Sequence, residues 1–433
     1  MGEVMIAGSG PVGSLLALTL ARRGHDVSLY ERRSDPRKSE AAAGRSINLS
    51  VSARGLYALH QVGLDDEVLQ NTVPMLGRLT HALDATLAFF PYGRTPDEYI
   101  NSMSRGGLNM LLLEKAEAAG ARVHFEHKLL SYDYQQRVAV FDKLRVPAEV
   151  LIGADGAGSA LRACIPGAHT SNELLSSGYK ELTMPPRNGK HAMRRQALHI
   201  WPRGSFMLIA LPNLDGSFTC TLFLDLKAFE QLNTEAEALA FFARHFPDAL
   251  PLIPDLPAQF VAAPLGRMQT IKTWPWAHGS TLLLGDAAHA IVPFFGQGMN
   301  SGFEDVTLLA GELARTPDFA AAFAKFAAAR KADTEAIADL AVENFVEMRD
   351  KVADPHFLRL RTLEHDLQEK MPGRYLTRYQ LVTFTRVPYR VALEAGRIQA
   401  QILSELLPAP ELDRGVRLAE ERLLPLLRAN GIS

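Results

Sequence analysis

Val4-Met5-Ile6-Ala7-Gly8-Ser9-Gly10-Pro11-Val12-Gly13 opens with a four-residue apolar run, passes through a glycine turn and enters a helix-patterned stretch from Pro11 to Arg23. Apolar residues recur there at helical spacing, and Val27–Tyr30 follows as a second short strand. This is a βαβ opening. Gly8, Gly10 and Gly13 fit the spacing GxGxxG, and Glu31 stands at the end of the second strand. The first glycine permits the tight turn. The second lets a pyrophosphate approach the backbone, and the third lets helix and strand pack closely. Glu31 is placed to hydrogen-bond a ribose. The motif alone does not distinguish NAD from FAD.

Two later segments repeat the theme. Val150–Ile152 is an apolar strand closed by Gly153-Ala154-Asp155-Gly156, with Ser159 and Arg162 just beyond. Leu282-Leu283-Leu284-Gly285-Asp286-Ala287-Ala288-His289 runs a strand into a second Gly-Asp turn, and a Pro- and Gly-broken loop leads to a helix start at Gly298-Met299-Asn300. A helix N-terminus reached this way aims backbone N–H groups at an electron-rich ligand. His289 admits two readings, a catalytic base or a residue that orients the loop, and the second is the commoner use of a His in such a turn.

The chain has 433 residues, enough for two or three structural units. A net charge of −2 with 22% charged residues gives no bulk attraction to nucleic acid or anionic lipid, so neither is expected as a partner. Cys164 and Cys220 are too few for a disulfide framework and lie near no zinc-like cluster, so no metal is expected. No apolar run approaches the ~18 residues of a membrane span, and Val4–Ala7 begins without a signal-peptide core, so a cytoplasmic protein is expected. Asn109–Ala119 reads as a helix ended by Gly120, and Val123–Glu126 as a strand. From about Gly178 the texture changes to short strands, Ala197–Trp201, Phe206–Leu211 and Phe218–Leu224, separated by Pro, Gly, Asn and Asp. Met184–His191 reads as a loop. Beyond Gly302 the pattern is helical, with breaks near Pro355, Met371–Gly373 and Pro408–Pro410.

The three glycine and Gly-Asp signatures, in this order, resemble those of the class A flavoprotein aromatic hydroxylases, which have the p-hydroxybenzoate hydroxylase fold. The resemblance implies an α/β fold: a Rossmann-like FAD-binding domain, an inserted antiparallel β-sheet substrate domain and a helical C-terminal region. The expected division is 1–70, 101–177 and 266–330 for the FAD-binding unit, 71–100 and 178–265 for the substrate sheet, and 331–433 for helices covering the pocket. FAD is implied as a tightly bound cofactor, NADPH as its reductant and dioxygen as co-substrate. The positions implied to hold FAD are Gly8, Gly10, Val12, Gly13, Glu31, Arg32, Arg45, Arg105, Asp155, Asp286, Gly298, Met299 and Asn300.

A narrower resemblance, to the kynurenine 3-monooxygenase family, runs from Val4 to about Leu403. It is carried by Gly44–Ser50, Gly178–Leu182, Leu198–Pro202, Leu211–Asp215, Thr221–Leu224, Pro293–Asn300, Glu343–Met348 and Arg378-Tyr379 followed by Val382-Thr383-Phe384. It implies hydroxylation of L-kynurenine to 3-hydroxy-L-kynurenine by way of a flavin hydroperoxide, in tryptophan degradation. Arg78 stands where the family binds the substrate carboxylate, a task suited to a planar, always-charged fork. Tyr92, Asn344 and Tyr379 occupy the other head-group positions, and Phe223, Pro293, Phe294 and Met348 the apolar wall. Tyr92, between Pro91 and Gly93, serves equally well as a turn brace. An aniline nitrogen already donates its lone pair to the ring, so no strong base is required and no catalytic residue is assigned. Phe295 replaces a His found in some bacterial members, Gly106-Gly107 replaces a charged residue and Arg, and the hydrophobic C-terminal segment of membrane-anchored members is not seen. Two alternatives stay open: a related hydroxylase of a modified kynurenine or anthranilate, and a flavin-binding sensor or carrier without turnover. Oligomeric state and the NADPH site are not legible.

Overall fold

A computed structural model describes residues 2–38, 48–93, 95, 97–347, 355–409 and 411–432. Two expected site residues, Arg45 and Met348, lie outside the described residues. The first sheet has six strands in the order Ala277–His278, Thr281–Leu283, Val150–Gly153, Val4–Ala7, Val27–Tyr30 and Arg122–His124. All pairings are parallel except the short hairpin at the first edge. Val4–Ala7, Val27–Tyr30 and Val150–Gly153 are buried along their whole length, as strands covered on both faces must be. Their carboxyl ends carry Gly8, Glu31 and Asp155, and the neighbouring Thr281–Leu283 leads to Asp286. All four thus converge on one edge of the sheet, where open α/β sheets bind ligands.

The second sheet has seven strands in the order Gly266–Trp274, His169–Met184, Phe218–Asp225, Met207–Pro212, Ala197–Pro202, Gly77–His81 and Leu87–Pro91. It is antiparallel except where Ala197–Pro202 meets Gly77–His81. Alternation sorts its side chains. Leu208, Ala210, Cys220 and Leu222 pack on one side against Phe242 and Phe260 of the helices Glu235–His245 and Leu256–Ala262. Met207, Ile209, Leu211, Thr221 and Phe223 point the other way, into the cavity described below.

Three expectations are corrected. The second sheet starts at His169, nine residues before the expected change of texture. Its strand shifts register between Leu174 and Gly178, and its first residues are exposed, so they show no alternation to read. Gly266–Trp274 pairs with that strand and belongs to this sheet, not to the FAD-binding unit in which the division at 265/266 put it. The helix expected from Asn109 begins at Arg105, because the Ser104 side chain accepts from the Gly107 N–H at 3.2 Å and caps it through the two glycines.

The C-terminal helices include Phe319–Val346, Pro355–Lys370, Arg378–Phe384 and Tyr389–Leu406. Their apolar faces form one cluster with Phe223, Val292 and Phe295, which roofs the cavity between the two sheets. Among the described residues no helix is long and apolar enough to cross a membrane, and no group of His, Cys, Asp and Glu could hold a metal ion.

Candidate active site

The carboxyl edge of the first sheet and the inner face of the second enclose one cavity of about 610 Å³, within the usual range for small-molecule sites. One end is built for a dinucleotide. Gly8 has φ +101°, and an added Cβ would lie 2.4 Å from the Ala154 carbonyl oxygen. A Cβ on Gly13 would lie 2.0 Å from the Gly8 carbonyl oxygen. Gly10 differs: it lines the cavity, and a Cβ there would meet no protein atom. The helix Pro11–Arg22 has Pro at its first turn and no side chain capping its N-terminus, so its free N–H groups face the cavity.

Glu31 is 5% exposed. One carboxylate oxygen accepts from Ser9 N–H (2.9 Å) and Ser9 Oγ (3.1 Å), the other from Arg33 N–H (3.0 Å) and Arg33 Nε (2.9 Å). Burial pushes its pKa up, but the hydrogen bonds and charge of Arg33 and the Ser9 N–H outweigh this and hold it below the ordinary value. It is an anion fixed at the end of its strand. Arg32, Arg33, His127 and Lys128 line this end of the cavity.

Asp155 and Asp286 face the middle. One Asp155 oxygen accepts from Ala160 N–H at 2.7 Å, and the other is buried without a partner. Asp286 is exposed to the cavity yet set deep in the protein. Removal from bulk water raises its pKa, against the pull of Arg105 and His289 and with a further push from Asp305. The helix Gly298–Arg315, like the first, has no capping side chain at its N-terminus, and Gly298 and Met299 line the wall. Two uncapped helix N-termini, an open glycine and an orphaned carboxylate oxygen are the complement of a ligand with anionic and hydroxyl groups along its length. FAD fits that set.

At the other end Arg78 extends from Gly77–His81. A Cβ on its neighbour Gly77 would lie 2.3 Å from the Phe90 carbonyl oxygen of the paired strand, which explains the glycine. The Arg78 guanidinium sits 4.7 Å from the Tyr379 ring centroid and 5.4 Å from that of Tyr92. The two rings stack at 5.5 Å and 11°. Arg78 Nε and the Tyr92 hydroxyl are buried without a hydrogen-bond partner. Burial pushes both phenols well above their ordinary pKa, so they stay neutral donors. Phe223 meets Phe294 at 5.0 Å, Phe294 stacks on Phe345 at 4.2 Å, and Phe295 stacks on Tyr379 at 5.6 Å. Pro293, Phe294 and Phe295 all line the cavity.

Not every expected residue faces it. Gly13 shapes the turn from behind. Asn300 is fully buried, and its side chain ties Ser50 O (2.7 Å), Gly296 O (2.7 Å) and Ser52 N–H (3.0 Å) together. Asn344 lies behind the apolar wall and donates to the Phe294 carbonyl at 2.6 Å. His289 is 5% exposed and bonded to Asp305 at 2.6 Å, and Asp305 also accepts from Gly285 N–H at 3.2 Å, so this His orients the turn. Residues overlooked in the sequence include Arg33 and the alternating Met207, Ile209 and Leu211. Their period-2 pattern marked a strand but not which face met the ligand.

A family model described as an FAD binding domain matches residues 1–322. Curated proteins named kynurenine 3-monooxygenase are similar over nearly the whole chain. That of Myxococcus xanthus is 47% identical, covering 98% of this chain and 96% of its own length. That of Stenotrophomonas maltophilia is 47% identical over 93% and 91%, and that of Cytophaga hutchinsonii 43% over 95% of each. Among solved structures, 2-methyl-3-hydroxypyridine-5-carboxylic acid oxygenase shares the fold, with a TM-score of 0.70 at 20% identity over 82% of this chain and 95% of that one. With the FAD-shaped cradle and the Arg78 pocket in one cavity, the chain belongs to the kynurenine 3-monooxygenase family of FAD-dependent aromatic hydroxylases.

Proposed function

We propose that this protein hydroxylates L-kynurenine at the ring carbon ortho to the amino group, giving 3-hydroxy-L-kynurenine, with NADPH and dioxygen consumed. The observation that carries the reading is the Arg78 guanidinium held against Tyr92 and Tyr379 at the far end of an otherwise apolar pocket that is continuous with the flavin cradle. Arg78 binds the carboxylate of the amino-acid head, where a buried cation without a partner on Nε is matched by an anion. The Tyr92 and Tyr379 hydroxyls donate to the same group. Phe223, Pro293 and Phe294 hold the aniline ring and keep water from it. Asn344 acts one layer back, fixing the Phe294 carbonyl and with it the wall.

Bound FAD supplies the redox chemistry, taking reducing equivalents from NADPH and activating dioxygen. The residues that would hold it are Gly10 and the helix start behind it at the pyrophosphate, Glu31 at the ribose, Asp155 and Asp286 along the ribityl chain, and the Gly298 helix N-terminus at the pyrimidine edge, with Arg32 and Arg105 facing the cavity. An aniline is already activated toward an electrophile, so the pocket serves by position and dryness. Under the same proposal the protein works in the cytoplasm, where NADPH is available to it.

The test is NADPH oxidation with product analysis, comparing L-kynurenine, anthranilate and 4-hydroxybenzoate. Formation of 3-hydroxykynurenine, with little stimulation by the other two, is expected. Turnover of anthranilate in its place would assign a substrate without the amino-acid head. FAD-loaded protein that oxidises no NADPH with any of them would be a carrier.

A further inference from the structure

Arg54 is not on the cavity wall. It is 1% exposed in the helix Ala53–His60, where a guanidinium is tolerated only if its donors are used. Nε lies 3.1 Å from both carboxylate oxygens of Glu304. One terminal nitrogen donates to the carbonyls of Val382 and Thr385, both at 2.7 Å, and the other to the carbonyl of Val387. The guanidinium lies over the Tyr389 ring at 3.9 Å.

Those carbonyls identify its task. Val382 is in the helix Arg378–Phe384, and Thr385 and Val387 follow its end. The last carbonyls of a helix have no donors within it. Here the chain leaves in an extended conformation at Thr385 (φ −123°, ψ 170°), without a left-handed cap residue. Arg54 therefore caps this helix from another part of the fold, with a positive charge at the negative end of the helix. The other end is closed by the capping box of Thr377 and Gln380. A seven-residue helix does not hold itself in water, so its caps and packing set where its side chains stand. Its second residue is Tyr379, 4.7 Å from the Arg78 guanidinium.

We infer that Arg54 is a positioning residue for the substrate head-group clamp, acting through the helix that carries Tyr379. The inference rests on reading Arg78 as the carboxylate clamp. The same buried chain reaches the flavin turn. Glu304 also pairs with Arg330 at 2.8 Å, Arg330 with Asp305 at 2.8 Å, and Asp305 accepts from Gly285 N–H, next to Asp286.

The test uses the FAD-loaded protein and three variants: Arg54→Gln, Arg54→Lys, and Arg54→Gln combined with Glu304→Gln, which restores the charge balance of the buried cluster while Arg330 keeps Asp305. Kd is measured from the change in flavin absorption for L-kynurenine and for 2-aminoacetophenone, which has the ring and ketone without the amino-acid head. FAD affinity is measured in parallel. Loss of one charge-assisted hydrogen bond's worth of positioning corresponds to about a tenfold weaker L-kynurenine affinity. That loss is expected in Arg54→Gln and in the double variant, with 2-aminoacetophenone affinity unchanged in both and FAD affinity unchanged in Arg54→Gln, which leaves the Glu304–Arg330 pair in place. Arg54→Lys, which keeps the charge but not the fork, should fall between the double variant and the wild type. Equal weakening of both ligands, or an unchanged L-kynurenine Kd, would overturn the assignment of Arg54. A wild-type protein that does not prefer L-kynurenine over the headless ketone would instead remove the clamp reading itself.

Discussion

Tyr92→Phe separates affinity from stability, because the two effects have opposite signs. Tyr92 is 8% exposed and stacks on Tyr379, and its hydroxyl is buried without a partner. Phenylalanine keeps the ring and the stack. It removes a buried hydroxyl that lies against the Arg78 donor and the Tyr379 hydroxyl, so the ligand-free protein loses no strong hydrogen bond. The variant should therefore be as stable as the parent, or more so by about 1 kcal/mol. Unfolding entropy of roughly 2.1 cal/mol/K per residue over 433 residues makes that a rise in Tm of only about 1 °C. The complex loses a hydroxyl–carboxylate bond worth about 1.5–3 kcal/mol, which is about a 10- to 150-fold rise in Kd. Titrating flavin absorption with L-kynurenine gives the first quantity, and thermal unfolding of the same preparation without ligand gives the second. Burial keeps the phenol protonated far above neutrality, so the affinity loss should be the same at pH 7 and pH 9. A Tm lowered by several degrees with Kd unchanged would refute the reasoning: Tyr92 would then brace its turn and bind nothing.

The glycines of the first turn should divide by what surrounds them. Gly10→Ala should leave the fold intact and weaken FAD binding, measured by flavin fluorescence, because its Cβ would enter the cavity and meet no protein atom. Gly13→Ala should fail to give folded protein, with a Cβ 2.0 Å from the Gly8 carbonyl oxygen; equal FAD affinity in Gly10→Ala and wild type would dissociate this turn from the cofactor. His199 should make the protein acid-sensitive. It is 1% exposed, and burial drives its pKa down to about 4, with His81 and Arg194 adding to the fall against the Arg194 carbonyl hydrogen bond. The unfolded chain takes up this proton near pH 6.5, so between pH 6.5 and about 4 the unfolded state binds more protons and stability falls with pH. The loss by pH 5 is about 2 kcal/mol, and His199→Gln should abolish that part of the slope in urea midpoints. A wild type with no larger slope than the variant would mean that His199 is already protonated in the native state.

The parts of this fold that the sequence disclosed are those with a local signature. Gly8, Gly10 and Gly13 stand between a buried strand and a helix because each meets a steric demand within a few residues, and the structure places Ala154 and the Gly8 carbonyl against two of them. Asp155 and Asp286 stand out for the same reason: each follows a buried strand within a glycine-containing turn, and both line the cavity. Side chains whose partners lie far along the chain were not. His169–Ser171 is exposed strand with no alternation, and its pairing with Trp274, Thr273 and Lys272 depends on a segment about a hundred residues away. Asn344, expected at the substrate, donates to the Phe294 carbonyl, a contact the sequence does not disclose: a mid-helix Asn is conspicuous, while its acceptor, a backbone oxygen fifty residues earlier, carries no residue identity. Arg54 is the extreme case. Three of its acceptors are backbone carbonyls some 330 residues distant, so no pairing of charges in the sequence points to it. What the sequence cannot encode locally is how a short helix is capped from elsewhere, and in this protein that cap lies behind the helix that carries Tyr379. The flavin end was readable because FAD is recognised by backbone turns with fixed spacing. The far end of the cavity carries no such signature, because its wall is assembled from four separate segments around Arg78, Tyr92, Phe223 and Tyr379.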